Sequence, residues 1–189
     1  MGKVYVFRHG ESVFNSQGRF TGFIDSKLTK KGLEDAKIIS ERLKHVKFEL
    51  AFHTSLTRSK QTLNEVLKHH KECQEVIEDD RLIERDYGNL AGKTHWEVVK
   101  KYGVGNYDKW HRGFDSAPPN GESFRDVEKR VASFVKDLKQ IVKERKVNVC
   151  IAAHGNSIRL FRKIMEKSSE KEAISWTIPY DNFIEYSIK

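Results

Sequence analysis

Short apolar, β-branched runs alternate along the chain with longer stretches whose apolar residues recur every three to four positions, which predicts strands alternating with helices. The first run, Lys3-Val4-Tyr5-Val6-Phe7, reads as a buried strand and stops at Arg8-His9-Gly10, so it hands an imidazole to a loop. Further strands are predicted over residues 49–53, 75–77, 147–153 and 183–188. Thr29 caps a helix with Leu33, Ala36, Ile39 and Leu43 on one face, and another begins at Ser55 or Thr57. Thr94 caps a helix that reaches about Tyr102 and is closed by Gly103 and Gly105. Ser123 opens the longest helix, whose stripe Phe124, Val127, Val131, Phe134, Leu138 and Ile141 runs to about Glu144. A last helix follows His154-Gly155-Asn156 and carries Ile158, Leu160, Phe161 and Ile164. Residues 13–26 read as loop, and the irregular stretch around Trp110 to Gly121 reads as a candidate lid. The expected fold is α/β: a three-layer α/β/α sandwich with a mostly parallel central sheet, built as one domain over residues 1–189.

Charge narrows the partners. The formal net charge of +8 favours small polyanions, and the lysines are scattered over predicted helices with no basic block, which ranks nucleic acid last. Cys150 lies in the apolar run Val149-Cys150-Ile151 and Cys73 in a polar stretch, so no disulfide is expected. No segment has the length of a membrane span or the pattern of a secretory signal, and Val6 stands where myristoylation wants Ser or Thr. A cytoplasmic protein is expected, with self-association left open.

Two of the strongest strands end alike, in Arg8-His9-Gly10 and His154-Gly155. His9 alone is either an ordinary strand-end histidine or a nucleophile. Parallel strands align their C-terminal ends along one edge of a sheet, which gives His9 and His154 a reason to meet. Arg8 and Arg58 would then surround one anion with them, and Glu84, in a loop after another strand, is placed to supply a proton. A metal site is the competing use of histidines and carboxylates. It is disfavoured because no ligand spacing such as His-x-x-Glu-His is present and arginines adjoin the candidate ligands.

The segments Arg8-His9-Gly10-Glu11-Ser12, Thr21-Gly22, Ser55-Leu56-Thr57-Arg58, Glu84-Arg85-Asp86-Tyr87-Gly88 and His154-Gly155-Asn156-Ser157-Ile158-Arg159 resemble, in order and spacing, the histidine phosphatase superfamily. Within it the chain is similar to the cofactor-dependent phosphoglycerate mutases. The resemblance spans nearly the whole chain. It implies that His9 becomes a phosphohistidine while Arg8, Arg58 and His154 hold the phosphoryl group and Glu84 acts as general acid and base. It further implies that Asn15, Thr21, Gly22, Arg85, Tyr87, His95, His111, Arg112, Gly155 and Asn156 contact substrate. The implied priming cofactor is 2,3-bisphosphoglycerate, without a metal, and the implied substrates are 3- and 2-phosphoglycerate.

The same nucleophile also serves a phosphomonoester phosphatase, in which water takes the phosphoryl group. The Tyr87 and Trp110-His111-Arg112 segments favour a mutase. Against it, His111 stands where the mutases usually carry an arginine, His95 falls where they carry a lysine with Lys93 nearby, and the sequence stops at Lys189 soon after the last strand. If His111 replaces an arginine, activity should fall as pH rises through the imidazole pKa. A non-catalytic protein that only holds phosphorylated ligands is the third reading, disfavoured because Arg8, His9, Arg58, Glu84 and His154 are all present.

Overall fold

A computed structural model describes residues 2–188. Five strands, β1 (Gly2–Arg8), β2 (Leu50–His53), β3 (Glu75–Glu78), β4 (Val149–Ala153) and β5 (Phe183–Ile188), form one sheet in the order β3-β2-β4-β1-β5. β5 alone runs antiparallel, against β1. The helices are α1 (Val13–Ser16), α2 (Lys30–Leu43), α3 (Thr57–Leu67), α4 (His95–Tyr102), α5 (Val104–Arg112), α6 (Phe124–Arg145), α7 (Gly155–Glu166) and α8 (Glu170–Ser175).

Alternation along β1 divides the interior into two layers. Val4 and Val6 join Leu50, Phe52, Val149 and Ile151 in the core that α6 and α7 cover, while Tyr5 and Phe7 join Ala51, Cys150 and Ala152 beneath Ile39 and Leu43 of α2 and Leu63 and Val66 of α3. The α/β/α sandwich follows from that division. A third, smaller core of Phe20, Tyr87, Leu90 and Val98 lies apart from the sheet and seats α4.

Several local readings change. Residues 13–16 are helical because Ser12 and Asn15 form a capping box, and α8 is likewise opened by a box of Ser169 with Glu172. The stretch expected to be irregular from Trp110 begins inside a helix, since residues 110–112 are the last of α5, and residues 113–121 beyond it are irregular. Gly103, at φ 81°, breaks α5 from α4, and Gly105 lies inside α5 instead of closing the preceding helix. Leu33 is exposed although it shares the expected face of α2, and in α6 Val142 is fully buried where Ile141 only packs against the core. Both cysteines are free, Cys150 buried and Cys73 partly so.

Candidate active site

Strand register sets the inner end of the site. Arg8 pairs with Ala153 across parallel β1 and β4, so His9 and His154 are the next residues on neighbouring strands, and the His9 amide still donates to the Ala153 carbonyl at 3.0 Å. Their ring centroids lie 5.0 Å apart, close to the ~4.8 Å between strands. The turn after His9 needs glycine at Gly10, because a Cβ there would collide with the Gly32 carbonyl at the start of α2.

His9 Nδ1 lies 2.7 Å from the Gly10 carbonyl, which accepts a hydrogen bond from it and makes Nε2 the unprotonated nitrogen. Arg58 Nε reaches that Nε2 at 3.3 Å, while the other Arg58 nitrogens donate to the carbonyls of Gly22 (2.9 Å) and Ile24 (3.1 Å). His154 Nε2 pairs with Thr54 Oγ1 at 2.8 Å, a partner that comes from the end of β2. Glu84 Oε1 accepts from the amides of Arg85 (2.9 Å) and Asn156 (3.1 Å), which ties the carboxylate to the first turn of α7.

Burial, then Arg58 and Arg8, hold the His9 imidazole well below its usual pKa; burial and Arg58 do the same for His154. Both rings are therefore neutral at neutral pH, as a nitrogen nucleophile requires. Burial also lowers Arg58 and Arg159, each to about 10, where both stay charged at neutral pH. Arg8 Nε, Thr21 Oγ1 and His154 Nδ1 are buried without hydrogen-bond partners. All three are donors or can be, and they match the oxygens of a phosphoryl group.

The open cavity, of ≈ 160 Å³, begins at Arg8, Glu84, Gly155 and Asn156 and extends outward past Asn15, Thr21, Gly22 and Tyr87 to His95, His111 and Arg112. His9, Arg58 and His154 lie behind this lining and are almost completely buried. Tyr87 donates no side chain to the core alone: its hydroxyl accepts from Asn156 Nδ2 at 3.1 Å. Asn15 lines the cavity while its Oδ1 accepts from the Ser12 hydroxyl at 2.8 Å.

Two expected contacts are placed differently. Arg85 does not line the cavity. Its guanidinium is fully buried between the rings of Tyr87 (4.7 Å) and Phe124 (4.3 Å) and donates to the Trp110 carbonyl, so it props α5 from behind. His111 does line it, but not as a cation. Burial first, then Arg112 and His95, push its pKa down to about 3, and burial and Arg112 lower His95 too. The outer wall is thus an aromatic group, with His95 Nδ1 3.1 Å from the Tyr107 hydroxyl and the His95 and His111 rings 5.2 Å apart.

Sequence reasoning assigned no substrate contact to four side chains. Arg159 and Arg19 line the cavity; Arg159 was carried by the His154–Arg159 motif, and Arg19 is one of the donors, with Asn15 and Thr21, in the loop after β1. Thr54 could have been found as the residue one strand over from His154. Tyr180, whose ring lies under the Arg8 guanidinium at 4.1 Å, left no signal, since it sits on a bend beyond α8.

The chain belongs to the histidine phosphatase superfamily (branch 1), whose family model matches residues 4–185. Its curated relatives include a phosphoglycerate mutase of Schizosaccharomyces pombe, 41% identical over 157 residues, covering 80% of this chain and 74% of that protein. A 2,3-bisphosphoglycerate-dependent phosphoglycerate mutase 2 of Gloeobacter violaceus is 36% identical over 186 residues, covering 95% and 84%. Among solved structures, the α-ribazole phosphatase of Shigella flexneri superposes with a TM-score of 0.86 at 23% identity, covering 99% of this chain and 91% of that one, which bears on the fold alone.

Proposed function

We propose that this single-domain protein is a phosphoglycerate mutase that interconverts 3- and 2-phosphoglycerate through a phosphohistidine on His9. The observation that carries the reading is that the cavity has cations at both ends. Arg8 and Arg58 act on His9 and His154, Arg112 acts on His95 and His111, and Arg159, acted on by both Arg112 and Arg8, lies between the two. A substrate anchored by one anionic group at the inner end has a second cationic end for its other charged group. The mutase names of the relatives point the same way.

The His9 Nε2 pair attacks phosphorus as the bond to the donor oxygen breaks, and Glu84 gives that oxygen a proton. The Gly10 carbonyl holds the Nδ1 proton and stabilises positive charge on the ring. Arg8 and Arg58 neutralise charge on the transferring oxygens, and the neutral His154 offers them a hydrogen bond from Nδ1. In the return step the substrate hydroxyl loses its proton to Glu84, attacks phosphorus, and the electron pair goes back to Nε2. The unpartnered Arg8 Nε, Thr21 Oγ1 and His154 Nδ1 suit a phosphorylated primer. When bound, 2,3-bisphosphoglycerate would supply the phosphoryl group that loads His9, with Arg112 and Arg159 toward its far end.

A second reading, a phosphomonoester phosphatase, is favoured by one observation: the neutral His95 and His111 give the outer wall less positive charge than a lysine and an arginine would. The deciding experiment supplies 3-phosphoglycerate with and without catalytic 2,3-bisphosphoglycerate and follows 2-phosphoglycerate and free phosphate. Isomer without phosphate supports the mutase. Phosphate without isomer refutes it.

A further inference from the structure

We propose that Tyr180 shields the phosphorylated His9 from water and so sets how the phosphoryl group divides between an alcohol acceptor and hydrolysis. The inference rests on the phosphohistidine reading above and adds a residue to it. His9 is only 1% exposed and does not line the open cavity, so packed side chains cover its ring. Tyr180 is one of those covers: its ring centroid lies 6.3 Å from that of His9, at 51°, and the Arg8 guanidinium carbon lies 4.1 Å from the Tyr180 centroid. Lys31 Nζ, from α2, is 5.7 Å from the same centroid. These contacts are all made with the ring.

The segment that carries Tyr180 is tied to the cavity's own arginines. Arg8 Nη1 donates to the Ile178 carbonyl at 3.1 Å, and Arg159 Nε donates to the Trp176 carbonyl at 2.8 Å. The side chains that would grip an anion therefore also hold the cover in place.

Transfer and hydrolysis are the same reaction at phosphorus. An oxygen attacks, the N–P bond breaks with its pair returning to Nε2, and the attacking group's proton goes to Glu84; only the source of the oxygen differs. An aromatic ring packed beside the imidazole leaves the larger, anchored acceptor its route through the cavity and denies one to free water.

The test labels the wild type, Tyr180→Phe and Tyr180→Ala with 2,3-bisphosphoglycerate carrying radioactive phosphate, removes the excess and follows decay of the acid-labile label. Circular dichroism checks folding, and Tyr180→Leu replaces the alanine variant if that one does not fold. The label should decay about tenfold faster in Tyr180→Ala, with free phosphate rising relative to isomer, and Tyr180→Phe should match the wild type. Equal lifetimes in the labelled wild type and Tyr180→Ala overturn this inference alone. So does a phenylalanine variant as labile as the alanine one, since the ring would then not be the shield. No label on any of the proteins overturns the phosphohistidine reading and this inference with it.

Discussion

The inner end of the cavity is spaced by backbone hydrogen bonds between β1 and β4, while the outer end is spaced by side chains on α4 and α5, which rest on a separate small core of Phe20, Tyr87, Leu90 and Val98. At the inner end each reactive group has a defined partner: Gly10 for His9, Thr54 for His154, and two amides for Glu84. At the outer end Arg112 is exposed, its guanidinium donating to the Ile174 carbonyl at 3.3 Å, and the neighbouring histidines are neutral. The difference teaches that the spacing of the two imidazoles is set by the sheet, whereas the outer wall rests on helices with a small core of their own.

Substitutions at the inner end should break this division most severely. His9→Ala should abolish phosphoenzyme formation, measured as acid-labile phosphate on the protein; undiminished labelling would sink the assignment of the nucleophile. Glu84→Gln should slow turnover by about 10²- to 10⁴-fold, the range for loss of a general acid, while vanadate affinity changes little. A comparable loss of vanadate binding would mean that Glu84 serves the pocket's shape and not proton transfer. At the outer end Arg112→Ala should raise KM for 3-phosphoglycerate by about 10- to 100-fold, the worth of a hydrogen bond to a charged group, with a smaller change in kcat. A fall confined to kcat would show that the two ends are not separable.

The buried imidazoles carry a signature in stability. His9, His154, His95 and His111 all have folded pKa values below the ordinary 6.5. Below that pH the unfolded chain takes up protons that the folded one refuses, so their contribution is fully present above about 6.5 and is lost as pH falls. The thermal midpoint should therefore drop between about pH 6.5 and 4, and saturating phosphate, a counter-ion for charged rings, should reduce the drop. A midpoint that holds or rises over that interval would contradict the neutral rings. The smallest effect concerns His111. With its pKa at about 3 it has no titration to impose between pH 6 and 8, so the expectation that activity declines through the imidazole pKa is replaced by a flat contribution there. His111→Arg should lower KM by only a few-fold, about 1 kcal/mol or less for a partly exposed charge, and leave the pH profile in place. A profile displaced by that substitution would restore His111 as a titrating group.

Legibility in the sequence follows the same division. His9, His154 and Arg58 were readable because each lies within five residues of a strand whose apolar run marks where the chain surfaces, and parallel pairing does the rest. The sandwich was readable for the same reason, since β1 and β4 are uninterrupted apolar runs. Around the cap the rhythm fails. Gly103 and Gly105 look like terminators, yet only the first, with its positive φ, ends a helix, so α5 was missed and its last turn was counted with the irregular stretch. Arg85 was credited with a substrate contact because its motif touches the site, although two aromatic faces draw its guanidinium inward. Tyr180 depends on a bend 171 residues from His9 in the chain, a distance no local pattern bridges.

The pairing of Arg8 with Ala153 carries one more implication. Because the gap between the two imidazoles is a repeat of the sheet's own lattice, it owes nothing to the helices that roof the pocket. The helices α4 and α5 could be exchanged for those of a distant relative, and the two imidazoles beneath the transplanted roof would keep their spacing.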